Sequence, residues 1–344
     1  MNKKLLGGIF TSVMFLCLYF SSGILVFAKE NLNLPLLKAE KLTVSVKSFA
    51  NESIDEQVTH ISEPVESSRD VTFSEYDTNI IIEFLKGNTC TEITLEDYLI
   101  MVVMSEMPYT FEYEALCAQA VAARTYTLKM LEDTSRHLKN TVCSDPAHCS
   151  AALDKAAYTE KYGADEYEKA YAVVSEAVRS TCGTVICYNG ELCTAVYHAG
   201  SSGMTENSYN LWGTYTPYLI SVETPEISEA QTVRISAESF MKRVFPGVSL
   251  NSEIKIVRND TGRCEKLTAG KSEVKAGVLR QILALKSSDF DMSRDGDDIV
   301  FTVYGYGHGI GMSQNGANEM AKNGASYTDI LTHYYTGVDI EILV

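Results

Sequence analysis

One acidic side chain stands where a helix should bury an apolar one. In the stretch from Thr94 to Pro108, Leu95, Tyr98, Leu99, Val102 and Val103 recur at helical spacing, and the same stripe next reaches Glu106, eleven positions beyond Leu95. Eleven positions are about three turns, so the two residues point the same way. A carboxylate on the inward face of a helix end has two readings. It can pair with a buried cation such as Arg124 and hold the fold together. Alternatively, partial burial raises its pKa, so that it keeps a proton near neutrality and serves as a general acid. Structural ion-pair networks perturb carboxylates too, so the pattern alone leaves both open.

The element that must carry Glu106 is well marked. Thr94 with Asp97 three residues on reads as a capping box, and Pro108 stops the helix. Glu114–Leu131 reads as a second helix, rich in alanine, which lets neighbouring elements approach closely; Gln119 and Arg124 are its polar members. A third helix is expected from about Glu166 to Ser180. Strands at Thr184–Tyr188 and Thr194–Tyr197 flank Asn189-Gly190, a strong hairpin turn. The second strand runs into a small polar loop, Tyr197 to Thr205, where Ser202 and Thr205 offer hydroxyls. A plain turn is the alternative reading. Trp212, the only tryptophan, is either a sugar-stacking platform or core.

Further on, a short helix spans Ser236–Phe245, followed by strands at Ile254–Val257 and Cys264–Leu267. Val278–Leu285 reads as helix or loop. The strand Ile299–Val303 enters a segment with glycines at 305, 307, 309 and 311 around His308, which leads into a helix beginning near Ser313 and carrying Gln314. His308 is either a cleft residue or a histidine held in a tight turn. The spacing is not GxGxxG and no P-loop lysine follows, so nucleotide binding is excluded. The absence of HExxH argues against a zinc peptidase, and the absence of GxSxG argues against a serine hydrolase built on Ser202 or Ser313 with His308.

Several of these blocks resemble the stage II sporulation protein D family. SEMP (Ser105–Pro108), EALCAQAVAARTY (Glu114–Tyr126), the Tyr197–Thr205 loop, Leu279-Arg280 with Ser287–Phe290, and GHGIGMSQNGA (Gly307–Ala317) through His333-Tyr334-Tyr335 carry the likeness, from roughly Thr72 to the end. Cys117 replaces a usual lysine, and Gly203-Met204 stands where two glycines are commoner. The resemblance implies a lytic transglycosylase that cuts the MurNAc-β-1,4-GlcNAc bond, with Glu106 as its single general acid and base. It implies action in endospore engulfment beside a wall amidase that strips stem peptides, so the preferred glycan is denuded. Relatives in the same superfamily enhance wall amidases by contact, which is the alternative function. Arg124, Gln119, Tyr197, Ser202, Thr205, His308 and Gln314 are the candidate substrate-binding residues.

Nine cysteines are present. His137, Cys143, His148 and Cys149 fall within thirteen residues and match a tetrahedral zinc ligand set, with a Cys143–Cys149 disulfide as the alternative. The resemblance also suggests zinc in this loop, as a brace for the cleft. Cys182, Cys187, Cys193 and Cys264 have no pairing that sequence can assign.

The composition is that of a globular protein, with 45% hydrophobic and 22% charged residues among 344. The formal net charge of −16 makes nucleic acid a poor partner. Any substrate is largely neutral or meets a local basic spot that the net charge hides. Lys3 and Lys4 precede a charge-free apolar run, Leu5–Ala28, long enough at about 36 Å to cross a bilayer as an uncleaved anchor. Val26-Phe27-Ala28 also passes as a signal-peptide cleavage site. The expected organisation is a membrane segment at 1–28, an extracytoplasmic stalk at 29–74 with one strand near Lys41–Val46, and an α+β catalytic unit at 75–344. In that unit helices and short antiparallel strands frame a cleft.

Overall fold

The computed structural model describes residues 75–344 apart from positions 136, 147, 227 and 228. The expected membrane segment, its flanking stalk and the strand near Lys41–Val46 lie outside the described residues. Among the described residues no helix is long and apolar enough to cross a membrane.

The chain opens with a one-turn helix, α1 (Tyr76–Asn79), and a hairpin, β1 (Ile81–Lys86) with β2 (Thr89–Thr94). Helix α2 (Leu95–Glu106) follows at once. Thr94 caps it as expected, its hydroxyl accepting the Asp97 N–H at 3.0 Å. The return half of the capping box differs from expectation, because the Thr94 hydroxyl itself donates to Asp97 Oδ2 at 2.8 Å. The stripe residues Leu95, Tyr98, Leu99, Val102 and Val103 are all sealed from solvent. Each such side chain contributes about 1.5–3 kcal/mol through apolar burial. The stripe packs against α3 (Tyr113–Glu132) and α5 (Ala164–Ser180). Helix α3 lies at the centre: its run Ala115–Thr125 is buried throughout, which the alanines permit by letting neighbours approach closely. Between α3 and α5 come β3 (Thr141–Cys143), parallel to β1, and α4 (Lys155–Tyr162).

After α5, β4 (Thr184–Tyr188) turns at Asn189-Gly190, both with positive φ, into β5 (Glu191–Leu192). The expected second strand, Thr194–Tyr197, is not the hairpin partner. Pairing ends near Leu192, and β6 (Tyr197–His198) instead lies parallel to β13 (Met312–Ser313). A five-residue helix, α6 (Ser208–Trp212), completes this stretch, and Trp212 on it is 43% exposed, so it is not core.

The segment from β7 (Gln231–Ser236) to β12 (Asp298–Tyr304) builds a lobe with its own core around Phe240, Phe245, Phe290 and Phe301. Within it run α7 (Ala237–Val244), an antiparallel sheet of β8 (Ile254–Arg258), β9 (Cys264–Ala269) and β10 (Ser272–Lys275), then α8 (Ala276–Leu283) and β11 (Asp289–Asp295). The chain then rejoins the first core through β13, α9 (Gln314–Lys322), α10 (Tyr327–Tyr334) and β14 (Asp339–Ile342), which pairs with β4. Among the described residues this is an α+β arrangement with five small sheets. It departs from the expectation in having two cores and two parallel strand pairs.

A candidate glycan site around Glu106

Glu106 closes α2, and Met107 caps the helix in extended conformation ahead of Pro108. The carboxyl is half-buried. Its Oε1 accepts the Ala151 N–H at 2.9 Å, and Oε2 has no partner among the described residues. Burial raises the Glu106 pKa above the ordinary carboxylate value, and the Ala151 N–H only partly opposes this. Ser105 beside it accepts the Leu153 N–H at 2.8 Å. The SEMP segment therefore grips residues 150–153 with two adjacent side chains. Tyr197 reaches the same place: its hydroxyl donates to Ser150 Oγ at 3.0 Å. Burial, and then the nearby Glu106 charge, push the Tyr197 phenol well up, so it remains a donor.

Immediately upstream of that gripped segment sit the thiols and imidazoles. The ligand atoms of His137, Cys143 and His148 lie within 4.8 Å of one another. His137 Nε2 is buried with no hydrogen-bond partner among the described residues, an arrangement a metal ion would satisfy. Cys149 stands slightly apart, its Sγ accepting the Cys143 N–H at 3.4 Å. All eight described cysteines are thiols, so neither a Cys143–Cys149 bridge nor any pairing of Cys182, Cys187, Cys193 and Cys264 is formed. Desolvation holds Cys193 and Cys264 up at about 12, the behaviour of inert core thiols.

The other expected site residues divide. Arg124 does not pair with Glu106. It is fully buried and ion-paired with Asp77 at 2.7 Å, while the Val178 and Thr184 carbonyls take its remaining donors at 3.0 and 3.2 Å. No sugar hydroxyl has a route to it. Gln119 is equally sealed and takes a bond from the buried Gln314 amide at 3.3 Å, so this pair also lies inside the core. Thr205 is buried, its hydroxyl accepting the Val222 N–H at 2.8 Å. Tyr197, Ser202 and His308 retain contact with solvent.

His308 is held by its turn. Its Nδ1 accepts the Ile310 N–H at 3.1 Å, and its ring also bonds the Tyr197 backbone. Burial, then the Arg280 charge, lower its pKa to about 4, so it is a neutral hydrogen-bonding group at working pH. The glycines around it are required by close approach. A Cβ at Gly311, where φ is +71°, would meet the Val196 carbonyl oxygen at 2.1 Å. A Cβ at Gly307, where φ is +116°, would meet His198 Cβ at 2.7 Å.

Sequence reasoning missed three buried groups that shape this region. His198 Nδ1 faces the Ile310 carbonyl at 3.2 Å and its Nε2 meets Ser201 Oγ at 2.7 Å. Glu226 accepts the Ser201 N–H at 2.7 Å and the Ser313 hydroxyl, joining the two loops. Arg263, from the turn before β9, donates to Ser201 Oγ at 3.1 Å and to the Met204 carbonyl at 3.0 Å. Apart from the His198–Ser201 contact, three positions apart, no local motif marks these contacts, because the partners come from distant stretches. Two surface hollows, of about 300 and 510 Å³, do not include Glu106: one lies on the lobe beside Phe245, the other beside α9.

Comparison with known proteins gives the lineage. A family model described as Stage II sporulation protein matches residues 86–188, the stretch that holds Glu106, the thiol–imidazole cluster and α3. Over 300 residues the chain is 33% identical to Stage II sporulation protein D of Bacillus subtilis (strain 168), covering 85% of this chain and 87% of that protein. It is 33% identical over 279 residues to Stage II sporulation protein D of Bacillus amyloliquefaciens, covering 78% and 80%. A 28% identity over 299 residues links it to a Bacillus subtilis (strain 168) protein named Amidase enhancer, covering 70% of this chain and 39% of that protein. With a third of its residues shared along most of both lengths, the chain belongs to the stage II sporulation protein D family.

Proposed function

We propose that this protein is a membrane-anchored, extracytoplasmic lytic transglycosylase of peptidoglycan, acting on denuded glycan strands in endospore engulfment. The observation that carries the reading is the Glu106 carboxyl. It is half-buried and raised in pKa, with Oε1 fixed by a backbone N–H and Oε2 unengaged. A proton on Oε2 is donated to the glycosidic oxygen as the C1–O bond breaks through an oxocarbenium-like state. The muramoyl C6 hydroxyl then attacks C1 and returns its proton to Glu106. A 1,6-anhydro ring closes, and no water is consumed. One carboxyl suffices for this cycle, whereas a hydrolase ordinarily uses two. Tyr197, kept protonated near Glu106, gives its proton to Ser150 Oγ and leaves its oxygen free to accept from a sugar hydroxyl.

Mass spectrometry of the products tests this. Incubation with amidase-treated wall is expected to release fragments with anhydro ends, lighter by one water than hydrolysed ends. Hydrated ends alone would overturn the mechanism. A second reading, enhancement of a wall amidase by contact, draws support from the relative named Amidase enhancer. It predicts that the protein alone releases nothing yet speeds an added amidase.

His137, Cys143 and His148, with Cys149 as fourth ligand, suit a zinc ion, which would supply a cross-link rather than chemistry. Its place is just ahead of the segment that Ser105 and Glu106 grip. Elemental analysis is expected to find one zinc per chain, and chelation to lower the melting temperature. A metal-free protein of unchanged melting temperature would remove zinc from the account.

A further inference from the structure

The chain is strongly acidic, yet three cations gather at the Gly305–Gly309 turn without carboxylate partners. Arg280 is half-buried at the end of α8, with Nη2 on the Lys286 carbonyl at 2.9 Å and Nε on the Leu285 carbonyl at 3.5 Å. Its Nη1 has no partner among the described residues. Lys286 places Nζ 4.8 Å from the ring centre of Tyr306, which is itself 54% exposed, and its carbonyl accepts the Gly307 N–H at 2.9 Å. Arg263 lies under the turn, so close that a Cβ at Gly309 would meet its Cζ at 2.9 Å. None of the three forms a salt bridge among the described residues. Asp289 is near enough to feel Arg263 but not to bond it, and Arg258 is engaged by Asp291 at 2.7 Å.

Partly buried cations are ordinarily paired, and adjacent like charges repel. Burial and the Arg263 charge both depress Arg280, with no carboxylate opposing them. Such an arrangement is costly for the free protein and fits a site that receives an anion. The turn it surrounds carries His308, whose ring bonds the Tyr197 backbone, and Tyr197 adjoins Glu106.

We propose that Arg280 and Lys286, backed by Arg263, receive a carboxylate, and that this is the lactyl carboxylate of a muramoyl residue whose stem peptide has been removed. The proposal rests on the functional reading above, which lays a glycan strand against Glu106. On such a strand the lactyl group carries the negative charge. While a peptide is attached, the lactyl carbonyl is a neutral amide. An amidase that hydrolyses this amide leaves the carboxylate. The site therefore reads the product of that hydrolysis, and a strand that still bears peptides offers no carboxylate at the lactyl position. The exposed Tyr306 ring beside Lys286 supplies an apolar face for the same sugar.

Binding tests this independently of cleavage. Full-length protein carrying Glu106→Gln is titrated with three probes: denuded strands, the same strands with the lactyl carboxyl converted to a methylamide, and peptide-bearing strands. Denuded strands are expected to bind at least about tenfold more tightly than the methylamide, with the gap closing as salt rises. Adding Arg280→Gln removes the gap, Lys286→Gln narrows it, and Arg280→Lys retains part of it. Equal binding of the first two probes overturns the proposal. So does an Arg280→Gln loss of the same size on both, which would mark Arg280 as a purely structural group. Tight, Arg280-dependent binding of peptide-bearing strands would assign the site to a peptide carboxylate and overturn the lactyl ligand. If denuded strands bind as expected but wild type releases no anhydro ends, the carboxylate site stands and the cleavage reading falls.

Discussion

Glu106→Gln is expected to abolish release of anhydro-ended fragments from amidase-treated wall, a loss of at least about a thousandfold, while strand binding persists. Gln is nearly isosteric and still accepts the Ala151 N–H, so the 150–153 segment stays gripped. The amide cannot deliver a proton, and proton delivery is worth about 10²–10⁴ in rate. The removal of a lone acid that also acts as base sits at the upper end. The same substitution should stabilise the fold at neutral pH. Folding raises the Glu106 pKa, so the folded state holds its proton more tightly than the unfolded chain. Wild type therefore loses stability as pH climbs from the ordinary carboxylate range through the raised value, and the glutamine variant does not. Activity should decline over that same upper window as the acid ionises. A variant with wild-type turnover, or one less stable than wild type at pH 7, would remove Glu106 from the role given to it.

Asp77→Ala should cost about 3–5 kcal/mol, among the largest single losses this fold can suffer. The substitution strands a guanidinium with no solvent contact, and the Val178 and Thr184 carbonyls offer only partial compensation. For a domain of this size, the melting temperature should fall by roughly 10 °C. The double change Asp77→Leu with Arg124→Met should recover much of the loss, because a buried pair is commonly replaceable by apolar packing. Turnover per folded molecule should not change, since neither residue touches the Glu106 region. A midpoint shift below about 0.5 kcal/mol in chemical denaturation would refute the assignment.

What the sequence made legible was local. The α2 stripe, its Thr94 cap and its stop at Pro108 depend on neighbours within four residues, so spacing alone revealed the element and the odd carboxyl at its end. The central α3 was legible for the same reason. Partners far apart in the chain were not. Arg124 meets Asp77 across 47 positions, and β6 meets β13 across more than a hundred. The strand expected at Thr194–Tyr197 was misassigned because its residue types fit a hairpin, while the Val196 carbonyl is committed to Met312 and the Tyr335 hydroxyl. The polar residues expected in a cleft also include core groups. A buried glutamine pair and two part-exposed polar residues are written with the same letters, and only packing separates Gln119 and Gln314 from Ser202 and His308.

The lobe that carries Arg263 and Arg280 leaves the main body along β7 and returns along β12, and those two strands pair side by side, Gln231 opposite Val303. Its doorway is therefore a single point, and its interior packs on itself. Such a module can lengthen, shrink or be exchanged between relatives without disturbing the helix that presents the acid. Under the function proposed above, the cutting acid and the groups that read the strand's decoration would be free to evolve separately.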